Sequence, residues 1–336
     1  INILKLMRIT LRKILITGGA GFIGSHLVKK YLEKGEKVTV IDNLSTGLLK
    51  NLDDVSNNNK FTFVTGDILD NKLVDDLVCE ADIVLHLAAV VGVKHVMQNP
   101  VDTIRINILG TENILHSCSA HSKKVLIAST SEVYGKAMNY KNYDDGLNED
   151  VDTVMGATRV RRWSYATSKA LDEFLALAYY TERSLPVIIA RYFNTVGPGQ
   201  LGSYGMVLPI FIQKALAGED IDVFGDGNQM RSFGFVGDAV DCTMALIDSE
   251  KSIGEVFNIG NEREISINDL AKLVIKKCNS SSSIVHKTYE EAYGSGFEDM
   301  RRRKPNSEKL LETIGMKPEF PIESVIDKMI SYFMSN

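Results

Sequence analysis

Tyr165 and Lys169 are the residues of this 336-residue chain whose types and spacing most directly indicate chemistry. Side chains four residues apart on a helix lie on the same face, so the Lys169 ammonium can lie beside the Tyr165 phenol. A nearby positive charge favours the ionised phenol and lowers a pKa that is normally about 10. A tyrosine with a lowered pKa can transfer protons near neutral pH. The alternative is a solvated lysine beside a half-buried aromatic ring, so this pair alone does not define a site.

A glycine run near the start of the chain supports nicotinamide redox chemistry for that pair. It separates the apolar run at residues 13–17, predicted as a strand, from the helical pattern of residues 22–31. Glycines three apart, in the order GxxGxxG, allow a tight turn, close approach of the backbone to a pyrophosphate, and close packing of helix on strand. The predicted cofactor loop includes Gly18, Gly21, Phe22, Ile23 and Gly24.

Asp42 is the predicted determinant of the cofactor type. It ends the predicted strand that begins at Lys37 and lies eighteen residues after Gly24, where dinucleotide-binding proteins have a ribose-binding acid. A carboxylate accepts a hydrogen bond from the ribose 2′-hydroxyl and repels a 2′-phosphate, so the residue favours NAD over NADP. The alternative is a helix cap or turn acid before Asn43.

Composition and charge indicate an ordinary globular protein. Hydrophobic residues make up 44% of the chain and charged residues 24%, and the formal net charge is −5. The isoelectric point of about 5.8 gives no general basic field for nucleic acid or a membrane surface. Local basic clusters at residues 159–162 and 301–304 suit a phosphate-bearing small substrate, or they are solvated faces.

The cysteines indicate neither a metal site nor a disulfide framework. Cys79, Cys118, Cys242 and Cys278 are scattered, with no CxxC motif. We therefore predict no metal and a reducing, cytoplasmic setting. No apolar run approaches the length of a membrane span, and residues 1–12 are expected to be an extension before the first strand rather than a signal peptide.

The order of apolar runs predicts an α/β fold of the Rossmann type, with a doubly wound parallel sheet. Up to about residue 190, short buried strands alternate with helical patterns, and the pattern then changes. We expect an NAD-binding domain at residues 1–190, which carries Tyr165 and Lys169. Residues 191–336 are expected to form mainly a smaller α/β substrate-binding region, from which some strands and helices return to the first domain.

Taken together, these motifs resemble the extended short-chain dehydrogenase/reductase family, in particular its nucleotide-sugar epimerases, decarboxylases and dehydratases. The resemblance covers nearly the whole chain. It rests on TGGAGFIGSH, IDNLSTG, GDILD, HLAA, NILGT, STSEVYG, YATSK, RYFNTVGP, VFGDGNQMRSF and RRRKPN, in the family's order. It implies NAD as cofactor, a UDP-sugar as substrate, and a homodimer formed through helices at residues 101–119 and 165–180.

The resemblance also implies a role for individual residues. Tyr165 would be the catalytic base, Lys169 would hold the nicotinamide ribose, and Thr130 would hydrogen-bond a sugar hydroxyl. The implied cofactor contacts outside the glycine loop are Asp42, Asn43, Asp67, Ile68, Ala88, Ala89 and Asn107. The implied substrate contacts are Ser131, Asn194, Leu208, Phe224, Arg231 and, from the C-terminal arginine cluster, Arg301 and Arg303.

The reaction implied by the resemblance begins in one way and ends in three. Tyr165 removes the proton of the sugar 4-hydroxyl while hydride passes to NAD, which gives a bound 4-keto sugar. Return of hydride to the other face is epimerisation. Loss of a carboxylate β to the ketone is decarboxylation, and elimination across carbons 5 and 6 is dehydration.

Two motifs favour decarboxylation and one residue argues against dehydration. Glu132 in STSEVYG and the sequence RKPN from Arg303 resemble UDP-glucuronate decarboxylases. SEVYG also occurs in relatives described as epimerases, and Glu132 is alternatively an ion-paired or surface acid. Ser131 replaces the acidic residue of the thymidine-nucleotide sugar dehydratases, which argues against a 4,6-dehydratase.

Gly199 favours the opposite choice. It stands where many relatives have an arginine, and a buried carboxylate without a partner is costly, so an uncharged hexose is favoured. The arginines that could replace this charge are Arg159, Arg161 and Arg162. We therefore predict an NAD-dependent 4-epimerase of a UDP-hexose or UDP-hexuronate, with UDP-glucuronate decarboxylase as the alternative. A non-catalytic NAD-binding sensor on the same fold is a third hypothesis, disfavoured by the intact Thr130, Tyr165 and Lys169.

Overall fold

A computed structural model describes residues 11–141, 143–202, 206–293 and 300–335. The predicted N-terminal extension therefore lies outside the described residues except for its last two. The described strands are β1 (Lys13–Thr17), β2 (Lys37–Asp42), β3 (Phe61–Thr65), β4 (Ile83–His86), β5 (Lys124–Thr130), β6 (Val187–Tyr192), β7 (Thr195–Val196), β8 (Ile221–Phe224), β9 (Met230–Ser232), β10 (Gly234–Phe235), β11 (Val256–Ile259), β12 (Glu264–Ser266), β13 (Ile284–Lys287) and β14 (Arg302–Arg303). The described helices are α1 (Phe22–Glu33), α2 (Asn71–Glu80), α3 (Val93–Gln98), α4 (Pro100–Ala120), α5 (Ala137–Tyr140), α6 (Trp163–Arg183), α7 (Val207–Ala217), α8 (Val236–Asp248), α9 (Ile267–Lys277), α10 (Tyr289–Tyr293), α11 (Glu308–Ile314) and α12 (Ile322–Ser335).

A seven-stranded parallel sheet with the strand order β11-β6-β5-β4-β1-β2-β3 forms the centre of the molecule. Every residue of β4 and of β6 is buried, because helices cover both faces and both faces of these strands are apolar. One core contains residues of β1, α1 and α8, and the other contains residues of α2, α4 and α6. The predicted doubly wound Rossmann-type sheet is confirmed.

The strand order reverses between β1 and β4, and this reversal places the site. From β1, the strands β2 and β3 follow towards one edge of the sheet, whereas β4, β5 and β6 follow towards the other edge. The loops that follow β1 and β4 diverge at such a point and leave a crevice at the carboxyl ends of the strands.

β11 comes from the C-terminal part of the chain and completes the sheet. It pairs in parallel with β6, in the register Val256 opposite Ile189. The intervening helix α8 packs against α1. The chain therefore leaves the sheet after β6 and returns to it, as the sequence analysis allowed for some C-terminal elements.

The remaining C-terminal elements form a smaller α/β region with its own core. Its short sheets have the orders β12-β9-β14, β10-β7 and β13-β8. Residues of α7, α9 and α12 pack together in a third apolar cluster. In the described ranges, no helix combines the length and apolar character that crossing a bilayer requires.

Candidate active site

A cavity of about 640 Å³ lies at the carboxyl ends of the strands and extends to the smaller region. The residues predicted to bind cofactor or substrate that line it are Gly18, Gly21, Phe22, Ile23, Gly24, Asp42, Asn43, Ile68, Ala88, Ala89, Thr130, Ser131, Glu132, Tyr165, Lys169, Asn194, Leu208, Phe224, Arg231 and Arg303. Asp67, Asn107 and Arg301 are not part of its lining. The structure thus brings most of the predicted site together around one cavity.

The glycine loop fits a dinucleotide pyrophosphate. Gly18 has φ of +71°, and a Cβ atom there would lie 2.8 Å from the backbone nitrogen of Ala88. A Cβ atom on Gly24 would collide with the carbonyl oxygen of Gly18. α1 begins at Phe22, and no side chain caps its first turn. Its first N–H groups can therefore bind a phosphate, in the electrostatic field of the helix N-terminus.

Asp42 lies at the end of β2 and is held by backbone groups on both sides. Its Oδ2 accepts from the Ala20 N–H at 3.0 Å, and its Oδ1 accepts from the Leu44 N–H at 2.8 Å. Asn43 follows, and its Nδ2 donates to Asp67 Oδ2 at 3.1 Å. Asp67 thus holds Asn43 instead of lining the cavity. The carboxylate of Asp42 is fixed on the cavity wall, which suits a ribose hydroxyl donor.

Asn107 supports the site from behind. Its Oδ1 accepts from the Val90 N–H at 2.8 Å, and its Nδ2 donates to Ser168 Oγ at 3.2 Å. It thereby joins α4 to the loop after β4 and to the helix that carries Tyr165. The side chain is 1% exposed, so it acts on the shape of the site and does not contact a ligand in the cavity.

The surroundings of Tyr165 differ from the prediction. Burial raises the pKa of the phenol, and the carboxylate of Glu132 raises it further, whereas a hydrogen bond with Thr130 opposes this change. The Lys169 Nζ donates to Asp172 Oδ2 at 2.8 Å, and the predicted lowering of the tyrosine pKa is not seen. Tyr165 is therefore neutral at physiological pH, because burial, together with the charges of Glu132 and Asp172, outweighs the hydrogen bond with Thr130 and the charge of Arg303.

Glu132 lies between two arginines on the cavity wall. Its Oε2 accepts from Arg162 Nη2 at 3.2 Å, and its Oε1 accepts from Arg303 Nη1. Burial alone would raise the pKa of Glu132, but the charges and hydrogen bonds of the two arginines outweigh burial and lower that pKa to about 2. The carboxylate is thus ionised across the physiological range. Sequence reasoning proposed both Glu132 and Arg162 but did not predict that they pair.

The three C-terminal arginines have three different partners. Arg303 Nη2 also donates to Asn194 Oδ1 at 3.0 Å, and this arginine lines the cavity. Arg302 Nη2 donates to Glu264 Oε2 at 2.7 Å. The Arg301 side chain is 72% exposed and pairs with Asp226 at 2.7 Å, away from the cavity lining. The structure therefore selects Arg303 from the cluster in which sequence reasoning named Arg301 and Arg303.

The part of the cavity lining that comes from the smaller region suits a nucleotide base. Leu208 from α7, Phe224 from the end of β8 and Arg231 from β9 all line the cavity. Apolar and aromatic walls with a few polar groups are typical of small-molecule sites. Among the described residues, no cluster of His, Cys, Asp and Glu side chains could hold a metal ion.

A glycine loop, a ribose-binding acid and a Tyr–Lys pair on a doubly wound sheet define a class of dinucleotide-dependent enzymes, and the comparisons agree. Residues 14–260 match the model of the NAD dependent epimerase/dehydratase family. The UDP-N-acetyl-alpha-D-glucosaminuronate decarboxylase of Bacillus cytotoxicus is 43% identical over 96% of this chain and 98% of its own. The UDP-glucuronic acid decarboxylase 1 of Xenopus tropicalis is 34% identical over 96% of this chain and 72% of its own.

A solved structure is also similar over almost the whole chain. The UDP-glucuronic acid 4-epimerase of Bacillus cereus, in complex with UDP-glucuronic acid and NAD, is 28% identical, with a TM-score of 0.85 over 96% of this chain and 99% of that one. This chain belongs to the NAD dependent epimerase/dehydratase family. It is an enzyme of the nucleotide-sugar epimerase/decarboxylase group, and the predicted cofactor NAD is confirmed.

The relatives reverse the order of the two predicted reactions. The sequence analysis ranked 4-epimerase first and decarboxylase second. The two curated relatives described above, the more identical of which reaches 43%, are both decarboxylases, whereas the epimerase is a structural neighbour at 28%. The alternative prediction is therefore better supported than the main one.

Proposed function

We propose that this enzyme decarboxylates a UDP-hexuronate, releasing the C6 carboxylate as CO₂ from a 4-keto sugar. The observation that carries the proposal is the cluster of Arg162, Glu132 and Arg303 beside Tyr165 on the cavity wall. The similarity to two UDP-hexuronate decarboxylases supports the same reaction.

The charge of the cluster favours an anionic sugar. Two guanidinium groups, those of Arg162 and Arg303, lie beside the ionised carboxylate of Glu132 in a buried position. A hexuronate carboxylate placed there would be compensated, whereas without a partner its burial would cost several kcal/mol. Gly199 lines the same cavity and carries no charge, whereas Arg162 and Arg303 in the same lining supply positively charged guanidinium groups. The reason for preferring an uncharged hexose is thereby removed.

The reaction follows from the positions of these side chains. NAD, when bound, supplies the hydride acceptor and a positive charge that favours the ionised form of Tyr165. Thr130 holds the sugar 4-hydroxyl by a hydrogen bond, and the Tyr165 oxygen then accepts the proton of that hydroxyl. The C6 carboxylate lies β to the resulting ketone, so the electron pair of the C5–C6 bond can pass to the C4 carbonyl oxygen as CO₂ leaves, and the enolate so formed takes up a proton at C5. The hydride removed at the start would return to C4 as Tyr165 gives its proton back to the C4 oxygen, so the UDP-pentose forms with no net oxidation. The arginine pair orients that carboxylate, and the leaving CO₂ carries no charge.

The test is to incubate the enzyme and NAD separately with UDP-glucuronate, UDP-N-acetylglucosaminuronate and UDP-glucose, and to identify products by proton NMR and trapped CO₂. We expect CO₂ and a UDP-pentose or its N-acetylated counterpart from one hexuronate, and no product from UDP-glucose. A product of unchanged mass with inverted C4 would instead establish a hexuronate 4-epimerase, the second candidate, which the likeness to the Bacillus cereus structure favours. Turnover of UDP-glucose alone would contradict the charge argument.

We also propose that the enzyme is a homodimer formed through α4 and α6. Val101 and Ile104 on α4 are 74% and 43% exposed, and Leu171 and Phe174 on α6 are 45% and 70% exposed. These two helices pack side by side, so their exposed apolar side chains form one surface. A second copy of the chain would cover this surface by packing its own α4 and α6 against it.

Phe174→Asp should convert the dimer to a monomer, because a charge would be buried in an apolar contact. Light scattering after gel filtration measures the mass directly. Met334→Asp is the matched control, since Met334 is 74% exposed but lies on α12. A wild-type protein that elutes as a monomer, or a Phe174→Asp variant that remains a dimer, would contradict this arrangement.

A further inference from the structure

Asp172 is a buried carboxylate in α6 to which neither the sequence analysis nor the proposed reaction assigns a role. It follows Lys169 by three residues and Tyr165 by seven, so all three lie on one helix face. Lys169 Nζ donates to Asp172 Oδ2 at 2.8 Å, and the two side chains are 3% and 0% exposed. They therefore form a buried ion pair next to the catalytic tyrosine.

Neither helix propensity nor packing accounts for this aspartate. Aspartate is unfavourable inside a helix. In the part of the chain that the structure describes, the Oδ1 atom of Asp172 has no hydrogen-bond partner. A buried oxygen without a partner costs free energy, and Lys169, with a smaller effect of Thr111, offsets it here. What distinguishes the residue is thus its charge beside Lys169.

The neighbours of Asp172 provide no competing cation. Thr111 from α4 lies beside it, and the Thr111 hydroxyl also bonds His86 Nε2 at 3.1 Å. His86, from β4, bonds Thr17 Oγ1 through Nδ1 at 2.8 Å. Burial, together with the charge of Lys169, lowers the pKa of His86 to about 3, so this ring is neutral. The other charged neighbour, Glu173, is a carboxylate that is itself bound by Arg191.

We propose that Asp172 is a positioning residue that holds the Lys169 ammonium and determines how much of its positive charge acts on Tyr165. An ammonium has three N–H donors, so one bond to Asp172 leaves two for the ribose and the phenol. The carboxylate of Asp172 also opposes the ionisation of Tyr165 directly, as does that of Glu132. Arg303 and Thr130 act in the other direction. Asp172 thus holds the Lys169 ammonium in place, but its charge also raises the pKa of Tyr165.

Asp172→Asn keeps the size and an accepting oxygen but removes the charge. Loss of a negative charge favours the ionised form of Tyr165. We therefore expect the limb of the pH profile of kcat/KM that reports Tyr165 to move to lower pH, by about one unit. Asp172→Glu keeps the charge and should leave this limb where it is in the wild type. A purely structural residue would lower kcat without moving this limb, and that result would overturn the proposal.

Glu173→Gln is the matched control for this profile. Glu173 is the next residue of α6, is 6% exposed and bonds Arg191 at 2.7 Å, so its replacement also breaks a buried ion pair. We expect Glu173→Gln to reduce stability while the Tyr165 limb of the pH profile stays in place. If Glu173→Gln moves this limb as far as Asp172→Asn does, the effect is not specific to the partner of Lys169 and the proposal fails.

A second measurement needs no nucleotide sugar. The pH profile rests on the proposed function, whereas a double-mutant cycle in chemical unfolding of the NAD-free enzyme does not. Lys169→Met and Asp172→Leu should each lower the folding equilibrium constant by about 10²-fold or more, because each leaves one buried charge without a partner. The double variant should recover to within about tenfold of the wild type. Losses that simply add would overturn the ion pair, and a double variant that folds when a single one does not would support it.

Discussion

Tyr165→Phe should reduce kcat by about 10²- to 10⁴-fold, the usual contribution of a positioned general base. The variant keeps the ring, so packing in the buried site is preserved, and only the oxygen that accepts the sugar proton is lost. Initial rates of CO₂ release, measured with saturating UDP-hexuronate and NAD, give the effect. Thermal unfolding of the same preparation shows that the fold is intact.

Tyr180→Phe is the matched control for that change. Tyr180 lies on the same helix, α6, is 41% exposed, and is not among the cavity-lining residues. Its replacement should leave kcat within about twofold of the wild type, since exposed substitutions away from the site have small effects. A Tyr165→Phe enzyme with more than a tenth of wild-type activity would contradict both the decarboxylase and the epimerase mechanism, because both begin with the same proton transfer.

Arg303→Gln should lower kcat/KM for the UDP-hexuronate by about 10²- to 10³-fold, which corresponds to about 2.7–4 kcal/mol of transition-state stabilisation. The substitution removes the contacts with Glu132 and Asn194. It also removes one of the two guanidinium charges beside Glu132, so the carboxylates of Glu132 and of the substrate would repel each other more strongly. Steady-state kinetics over a range of substrate concentrations measure the change.

Arg302→Gln provides a control from the neighbouring residue of the same strand. Arg302 pairs with Glu264, and its side chain does not line the cavity, so kcat/KM should change by less than about threefold. The inhibition constant of UDP separates two roles of Arg303. If Arg303→Gln weakens the binding of UDP as much as it lowers kcat/KM for the UDP-hexuronate, Arg303 binds the diphosphate. If the binding of UDP is unaffected, Arg303 binds the sugar carboxylate.

Much of the fold and of the cofactor site could be predicted, because those signals are local. The apolar run of β1, the glycine loop and Asp42 occupy consecutive stretches of chain, and their spacing alone indicates a strand, a turn and a ribose-binding acid. Tyr165 and Lys169 share a helical turn, so their common face follows from helix geometry. These are the parts that the structure places on one cavity.

The charge pairing within the site could not be predicted, because the partners are far apart in sequence. Glu132 and Arg303 are separated by 171 residues, and no periodic pattern connects them. The choice among the three C-terminal arginines depends on which way each side chain leaves the backbone at β14 and at the residue before it, where Arg302 pairs with Glu264 and Arg301 with Asp226. The helix register places Lys169 beside both Tyr165 and Asp172, so the sequence does not show which of the two its ammonium contacts.

β11 imposes an order on how the protein is made. Every residue of β6 is buried in the finished fold, and β11 forms one of its two borders. Between the translation of these strands the ribosome makes only the elements from β7 to α8, whereas α9, α12 and the other elements of the smaller α/β region follow β11. The nascent sheet therefore presents β6 as an open edge until β11 emerges. Such edges invite wrong pairing, and parallel pairing between distant segments forms slowly. The seven-stranded sheet is completed only after the first elements of the smaller α/β region have been synthesised.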